Sequence, residues 1–245
     1  MHNNLGYRTM LGDDYDDILK LSEIHSNHEK EKIMMRKYFK RNYLSMFPTD
    51  KSSVILDVAC GRGMYIDACI SNGYKNVSGI DLSPSNIEFC RSQGYLVEKA
   101  NLFDFLKVNK SKYDIIMLND VIEHFYKDEA LSALNLLHDA LMENGLLIIK
   151  TFNAANPYTA SASRYIAFDH EIGFTECSLD RVLRGVGFRN VCVKGLDIYV
   201  TGGLLVLVAK LIATLVCFYL RLMSILFGRT SIKIFTKNLI AFANK

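Results

Sequence analysis

VILDVACGRGMYI, residues 54–66, runs from an apolar strand through a glycine turn into a helix start. Val54, Ile55 and Leu56 with Val58 suit a strand buried on both faces, as in a parallel sheet. Gly61 and Gly63 lack the Cβ that would keep a ligand off the backbone. The helix that follows offers free N–H groups and a positive dipole end to a carboxylate or phosphate. A nucleotide-like ligand is expected there. The dinucleotide fingerprint needs a small residue three positions after its second glycine, and that position is Ile66, so a nicotinamide cofactor is disfavoured.

Outward from this turn, β-rich runs alternate with helical ones, the pattern of βαβ units. Strands are expected at 54–59, 76–80, 96–99, 113–119, 145–152 and 190–194, and helices at 63–72, 85–92, 127–142 and 178–186. Ser83 and Pro84 supply an N-cap and a first-turn proline for the second helix. Residues 1–50 read as two helices ending near Pro48 and capping the substrate, 51–199 as the core, 200–232 as an apolar insertion and 233–245 as a last strand. At 245 residues and half hydrophobic, the chain can bury a full core. Its six cysteines form no CxxC pair, so reduced thiols in the cytosol are the simpler expectation. The polar N-terminus does not read as a signal peptide.

The motif Asp57-Val58-Ala59-Cys60-Gly61-Arg62-Gly63 resembles the first motif of class I S-adenosylmethionine-dependent methyltransferases. Asp81 stands at the end of the next strand, where that family keeps an acidic residue able to accept both ribose hydroxyls. Asn101 occupies the place of an aspartate that meets the adenine amino group. Residues 113–119 running into Asp120-Val121-Ile122-Glu123-His124 resemble the fourth-strand motif, and Glu143-Asn144-Gly145 the turn before the fifth strand. The resemblance implies a Rossmann-like seven-stranded α/β sheet whose last strand inserts antiparallel. It implies S-adenosyl-L-methionine held by Asp57, Ala59, Gly61, Gly63, Asp81, Leu82, Asn101, Leu102 and Asn119.

For methyl transfer to a hydroxyl the protein must position the groups, exclude water and supply a base. His124, beside Asp120 past a strand end, is one candidate; His170 in Phe168-Asp169-His170-Glu171-Ile172-Gly173-Phe174-Thr175 is the other. The first cluster also resembles that of quinone-pathway and small-RNA O-methyltransferases, which implies a Mg²⁺ option on Asp120, Glu123 and His124. The second resembles a segment of methyltransferases encoded with surface-polysaccharide and glycolipid pathways. It could equally be a loop that caps the next helix. Tyr158, Arg164 and Tyr165 are expected at the acceptor pocket, and His25 and His28 on a solvated surface.

Charge is uneven along the chain. Before residue 201 there are 23 Lys or Arg against 26 Asp or Glu, net −3, while the remainder holds six cations and no acid. Lys210, Thr214, Cys217, Arg221, Ser224 and Gly228 recur at alternating steps of three and four, one polar stripe on an otherwise apolar helix. A basic apolar segment suits an anionic membrane surface and not nucleic acid. If strands on both sides of it share one sheet, it must enter and leave on one side of the bilayer. A monotopic or re-entrant insertion is therefore expected, one version being a hairpin broken near Gly228; a dimer interface is another reading, and a single-span anchor a third that would require the last strand to be absent. The expected enzyme O-methylates a lipid-linked saccharide or other amphiphilic acceptor, peripheral or monotopic at the inner, cytoplasmic face of a membrane. An N-methyltransferase of a lipid amine and a non-catalytic cofactor-binding module are the alternatives.

Overall fold

The computed structural model describes residues 28–245. Seven strands form one sheet in the order β3-β2-β1-β4-β5-β7-β6, with β1 (Val54–Val58), β2 (Asn76–Asp81), β3 (Leu96–Lys99), β4 (Tyr113–Asn119), β5 (Leu141–Phe152), β6 (Arg189–Gly195) and β7 (Asn238–Asn244). β1 to β5 pair in parallel, and β7 runs antiparallel between β5 and β6. The Rossmann-like methyltransferase sheet, with an apolar helix before the last strand, is the observed fold.

The strand period of two divides the apolar runs between two cores. Leu56, Val58, Ile116, Leu118, Leu147 and Ile149 face one side. There they meet α4 (Leu102–Val108), α5 (Lys127–Ala140) and α7 (Glu176–Val186). Ile55, Ile115, Met117, Ile148 and Phe242 face the other, under α1 (His28–Asn42), α2 (Met64–Ser71) and α3 (Pro84–Ser92). A short α6 (Ala160–Tyr165) follows β5, and α8 (Leu204–Leu226) precedes β7.

Several boundaries differ from the sequence expectation. Of the two N-terminal helices, α1 and a 3-10 turn at Leu44–Met46 are seen, and the other lies outside the described residues, with His25. His28 is not simply solvated: its ring packs edge-on against Phe89 with centroids 4.8 Å apart. α4 is unforeseen, formed where Asn101 caps the Phe103 N–H at 2.8 Å. The insertion is one 23-residue helix, not a hairpin. It stops at Gly228, whose left-handed backbone lets the Arg229 N–H reach the Ser224 carbonyl at 2.7 Å. The last strand starts at Asn238 instead of 233, because side chains consume the preceding backbone. The amide of Asn153 takes the Ile234 and Thr236 carbonyls, that of Asn156 takes Phe235, and Glu176 accepts the Lys233 N–H.

Candidate active site

The C-terminal ends of the parallel strands form one rim, where ligands bind in open α/β sheets. Between β1 and α2 the backbone is left-handed at Ala59, Gly61 and Gly63, with φ of 55°, 52° and 74°. A Cβ on Gly63 would lie 2.8 Å from the Tyr95 ring, whereas one on Gly61 would point into open space. Asp81 accepts the Gly61 N–H at 2.8 Å and the Ser83 N–H at 2.9 Å, one on each oxygen. The turn and the carboxylate thus hold each other. Beside them Leu82 is exposed, Leu102 is buried at the start of α4, and Asn101 is exposed. The Asn101 side-chain oxygen, expected on an adenine amino group, already caps α4.

Beneath the turn, Asp57 is buried, and its Oδ2 has no hydrogen-bond partner. Burial pushes its carboxyl well above the usual range, and Asp81 adds to the effect. Asn119, ending β4, accepts the Tyr43 hydroxyl at 2.8 Å, and its Nδ2 is likewise buried and unpartnered. Tyr43 and Tyr65 meet through their hydroxyls at 3.1 Å, and the Tyr38 hydroxyl is a third buried orphan. An open glycine face, the Asp81 carboxylate and the buried Asp57, Asn119 and Tyr38 polar groups that lack a well-formed hydrogen bond suit a zwitterionic, ribose-bearing ligand. S-adenosylmethionine fits these residues.

The chain's segments after β4 and β5 meet beside this turn. The Glu123 carbonyl accepts the N–H groups of Glu171 and Ile172 at 2.7 and 3.0 Å, and the Ala154 N–H reaches the Phe174 carbonyl at 2.8 Å. The two histidine clusters are thereby joined. His124 Nδ1 lies 2.9 Å from an Asp169 carboxylate oxygen. The His124 and His170 rings meet edge to face at 4.5 Å. His170 stacks on Phe152, and its Nδ1 sits 2.6 Å from the Ser163 carbonyl. Burial holds the His124 imidazole below its ordinary value, partly offset by Asp169, so the ring is neutral at pH 7. With Nδ1 donating to Asp169, Nε2 is the basic nitrogen.

The magnesium expectation is not supported by this donor set. Asp120, left-handed at φ 54°, is ion-paired with Lys150, and Glu123 turns inward to the Thr151 hydroxyl at 3.0 Å. Burial, with Asp120 adding, raises the Glu123 carboxyl to about 7. Among the described residues no three His, Cys, Asp or Glu side chains converge on one point. Arg164 pairs with Glu171 at 3.8 Å, Tyr165 is strongly exposed, and Tyr158 stands at the rim of a separate cavity.

A family model described as a methyltransferase domain matches residues 31–193. The chain belongs to that family. It is an S-adenosylmethionine-dependent methyltransferase. Over 95% of its length it superposes on all of an S-adenosylmethionine-dependent methyltransferase from Archaeoglobus fulgidus, with TM-score 0.66 and 19% identity. Over its whole length it matches 91% of a Burkholderia thailandensis 1,6-didemethyltoxoflavin-N1-methyltransferase solved with bound 1,6-didemethyltoxoflavin and S-adenosylhomocysteine, with TM-score 0.60 and 16% identity. A curated relative, EEF1A lysine methyltransferase 2 of Mus musculus, is 33% identical over 29% of this chain. The match covers about a third of that relative's length, 35%.

The glycine turn, Asp81 and both histidines are named from the sequence and lie at C-terminal strand ends; the tyrosines of α1 and the partner of His124 are not named there. Tyr38 and Tyr43, five positions apart near the end of a helix leading into β1, were the available signal.

Proposed function

We propose that this methyltransferase O-methylates an amphiphilic acceptor, such as a lipid-linked saccharide, at the cytoplasmic face of a membrane. The supporting observation is the outward face of α8. Leu205 is 85% exposed, Phe218 61% and Leu226 74%, along a helix about 34 Å long at 1.5 Å per residue. So large an apolar face is costly in water. The other side of α8 is bonded to the body. Lys210 reaches Asp197 at 2.6 Å, and the Cys217 thiol reaches the Phe235 carbonyl at 3.4 Å. β6 and β7, which flank the insertion, pair with Gly195 opposite Leu239, so both ends of the segment belong to one sheet. Such a helix lies in the interface with Arg229 and Lys233, just past its C-terminal end, near anionic headgroups, each worth about 1 kcal/mol.

S-adenosylmethionine supplies the methyl group as a sulfonium electrophile. Asp57, Gly61, Asp81 and Asn119 would hold it at the turn. His124 Nε2 would take the acceptor hydroxyl's proton during transfer. Asp169 holds the imidazole in that tautomer, and α1 shields the rim from water.

Label transfer from methyl-labelled S-adenosylmethionine to a membrane lipid extract tests the chemistry. The native protein should label the lipid fraction, and Asp81→Ala and His124→Ala should not; label confined to water-soluble material overturns the amphiphilic acceptor. Flotation with vesicles containing anionic lipid tests the membrane. The native protein should float and the double variant Leu211→Glu, Phe218→Glu should not; equal behaviour overturns the docking of α8.

A further inference from the structure

Between the inner edge of α8 and the body runs a cavity of about 520 Å³. Its walls include Leu196, Ile198, Ala213, Val216 and Phe235, with Tyr158 at the opening. β6 is parallel to β5 because β7 is antiparallel to both, so residues 196–199 emerge on the same rim as the cofactor turn. Residues 156–159 reach that rim from β5, and 235–237 enter β7 from it. The cavity therefore opens on the methyl-transfer side of the sheet. Along its length it is continuous with the outer apolar face through Val216, which borders both.

We infer that this groove is a binding site for the single apolar chain of an anionic amphiphile, whose charged end lies at Lys237. The inference rests on the amphiphilic-acceptor reading above. The volume lies within the range of small-molecule pockets. An α-helix about 10 Å across would fill it with roughly one turn, so a partner's helix does not fit, whereas a thinner alkyl or isoprenoid chain does. Charge selects the end group. Asp197, the acid of the lining, is already answered by Arg41 and Lys210, which leaves Lys237 to make the wall net positive. A chain in the groove would hold its polar end on the rim that carries His124.

Titration calorimetry with hexyl, octyl and decyl phosphate as monomers, and with inorganic phosphate, tests this. Affinity of the native protein should rise with chain length, by up to about fourfold per methylene. Ala213→Phe, which fills the groove, should abolish that dependence while still binding S-adenosylhomocysteine, which checks that it has folded. Lys237→Gln should weaken every alkyl phosphate about equally. The site is overturned if the native protein shows no chain-length dependence, if Ala213→Phe keeps it, or if inorganic phosphate binds as well as decyl phosphate. The double variant Leu211→Glu, Phe218→Glu separates the two proposals. It should retain the chain-length dependence even when it no longer floats with vesicles, and loss of that dependence would assign the binding to the outer face of α8.

Discussion

His124 and Asp169 meet at 2.9 Å although they are 45 positions apart, one following β4 and the other in the loop beyond β5. The carboxylate determines which imidazole nitrogen carries the proton. His124→Ala should lower kcat by about a hundredfold or more, the usual contribution of a positioned base, with S-adenosylhomocysteine affinity unchanged. The native acid limb of kcat/KM should lie below pH 6.5, because burial favours the neutral ring. In Asp169→Asn the limb should move lower still, since a charge that raises the imidazole's affinity for protons is gone. An unshifted limb would mean that Asp169 only supports the loop.

Glu123 predicts a pH dependence of folding. Its carboxyl goes from an ordinary 4.5 to about 7 on burial, so between these values the folded state binds more protons than the unfolded one. Stability should therefore fall as pH rises from about 4.5 to about 7, by roughly 3 kcal/mol in all. Glu123→Gln cannot ionise and should flatten that fall, making the variant the more stable protein at pH 8. Denaturant unfolding at pH 5 and pH 8 measures it.

The two glycines of the turn should fail differently. Ala at Gly61 meets no protein atom, so its methyl occupies the cofactor's approach and S-adenosylhomocysteine should bind at least tenfold more weakly, with a modest drop in melting temperature. Ala at Gly63 drives its methyl to 2.8 Å from Tyr95, and the fold itself should lose stability by about 1–3 kcal/mol. Calorimetric titration and thermal melting of both variants separate the effects.

Tyr43→Phe removes the hydroxyl that serves Asn119 and Tyr65 inside the core. A buried acceptor left unmet costs about 1–3 kcal/mol. Because Asn119 sits on the cofactor rim, S-adenosylhomocysteine affinity should fall along with the melting temperature. A stability loss at unchanged affinity would separate α1 from the cofactor.

The central sheet was legible because β1, β4 and β5 are continuous apolar runs punctuated by glycine, proline and Asx turns. Local pattern and tertiary role agree there. Legibility ended where long-range partners decide the outcome. Residues 233–237 carry a strand pattern, yet Asn153, Asn156 and Glu176 take their backbone groups and keep them out of the ladder. The polar stripe of α8 was visible as a period, but Lys210 and Cys217 turn toward the body, so the apolar residues face out. At the site, side-chain types were readable and their pairing was not. Nothing in DVIEH signals that its histidine meets Asp169 instead of the neighbouring carboxylates.

Asp197 joins α1, through Arg41 and Asn42, to α8, through Lys210. One carboxylate thus ties the helix that leads into β1 to the outermost helix of the fold. Without it, Arg41 and Lys210 would be two cations left facing each other between the helices, with no counter-charge to hold them in register.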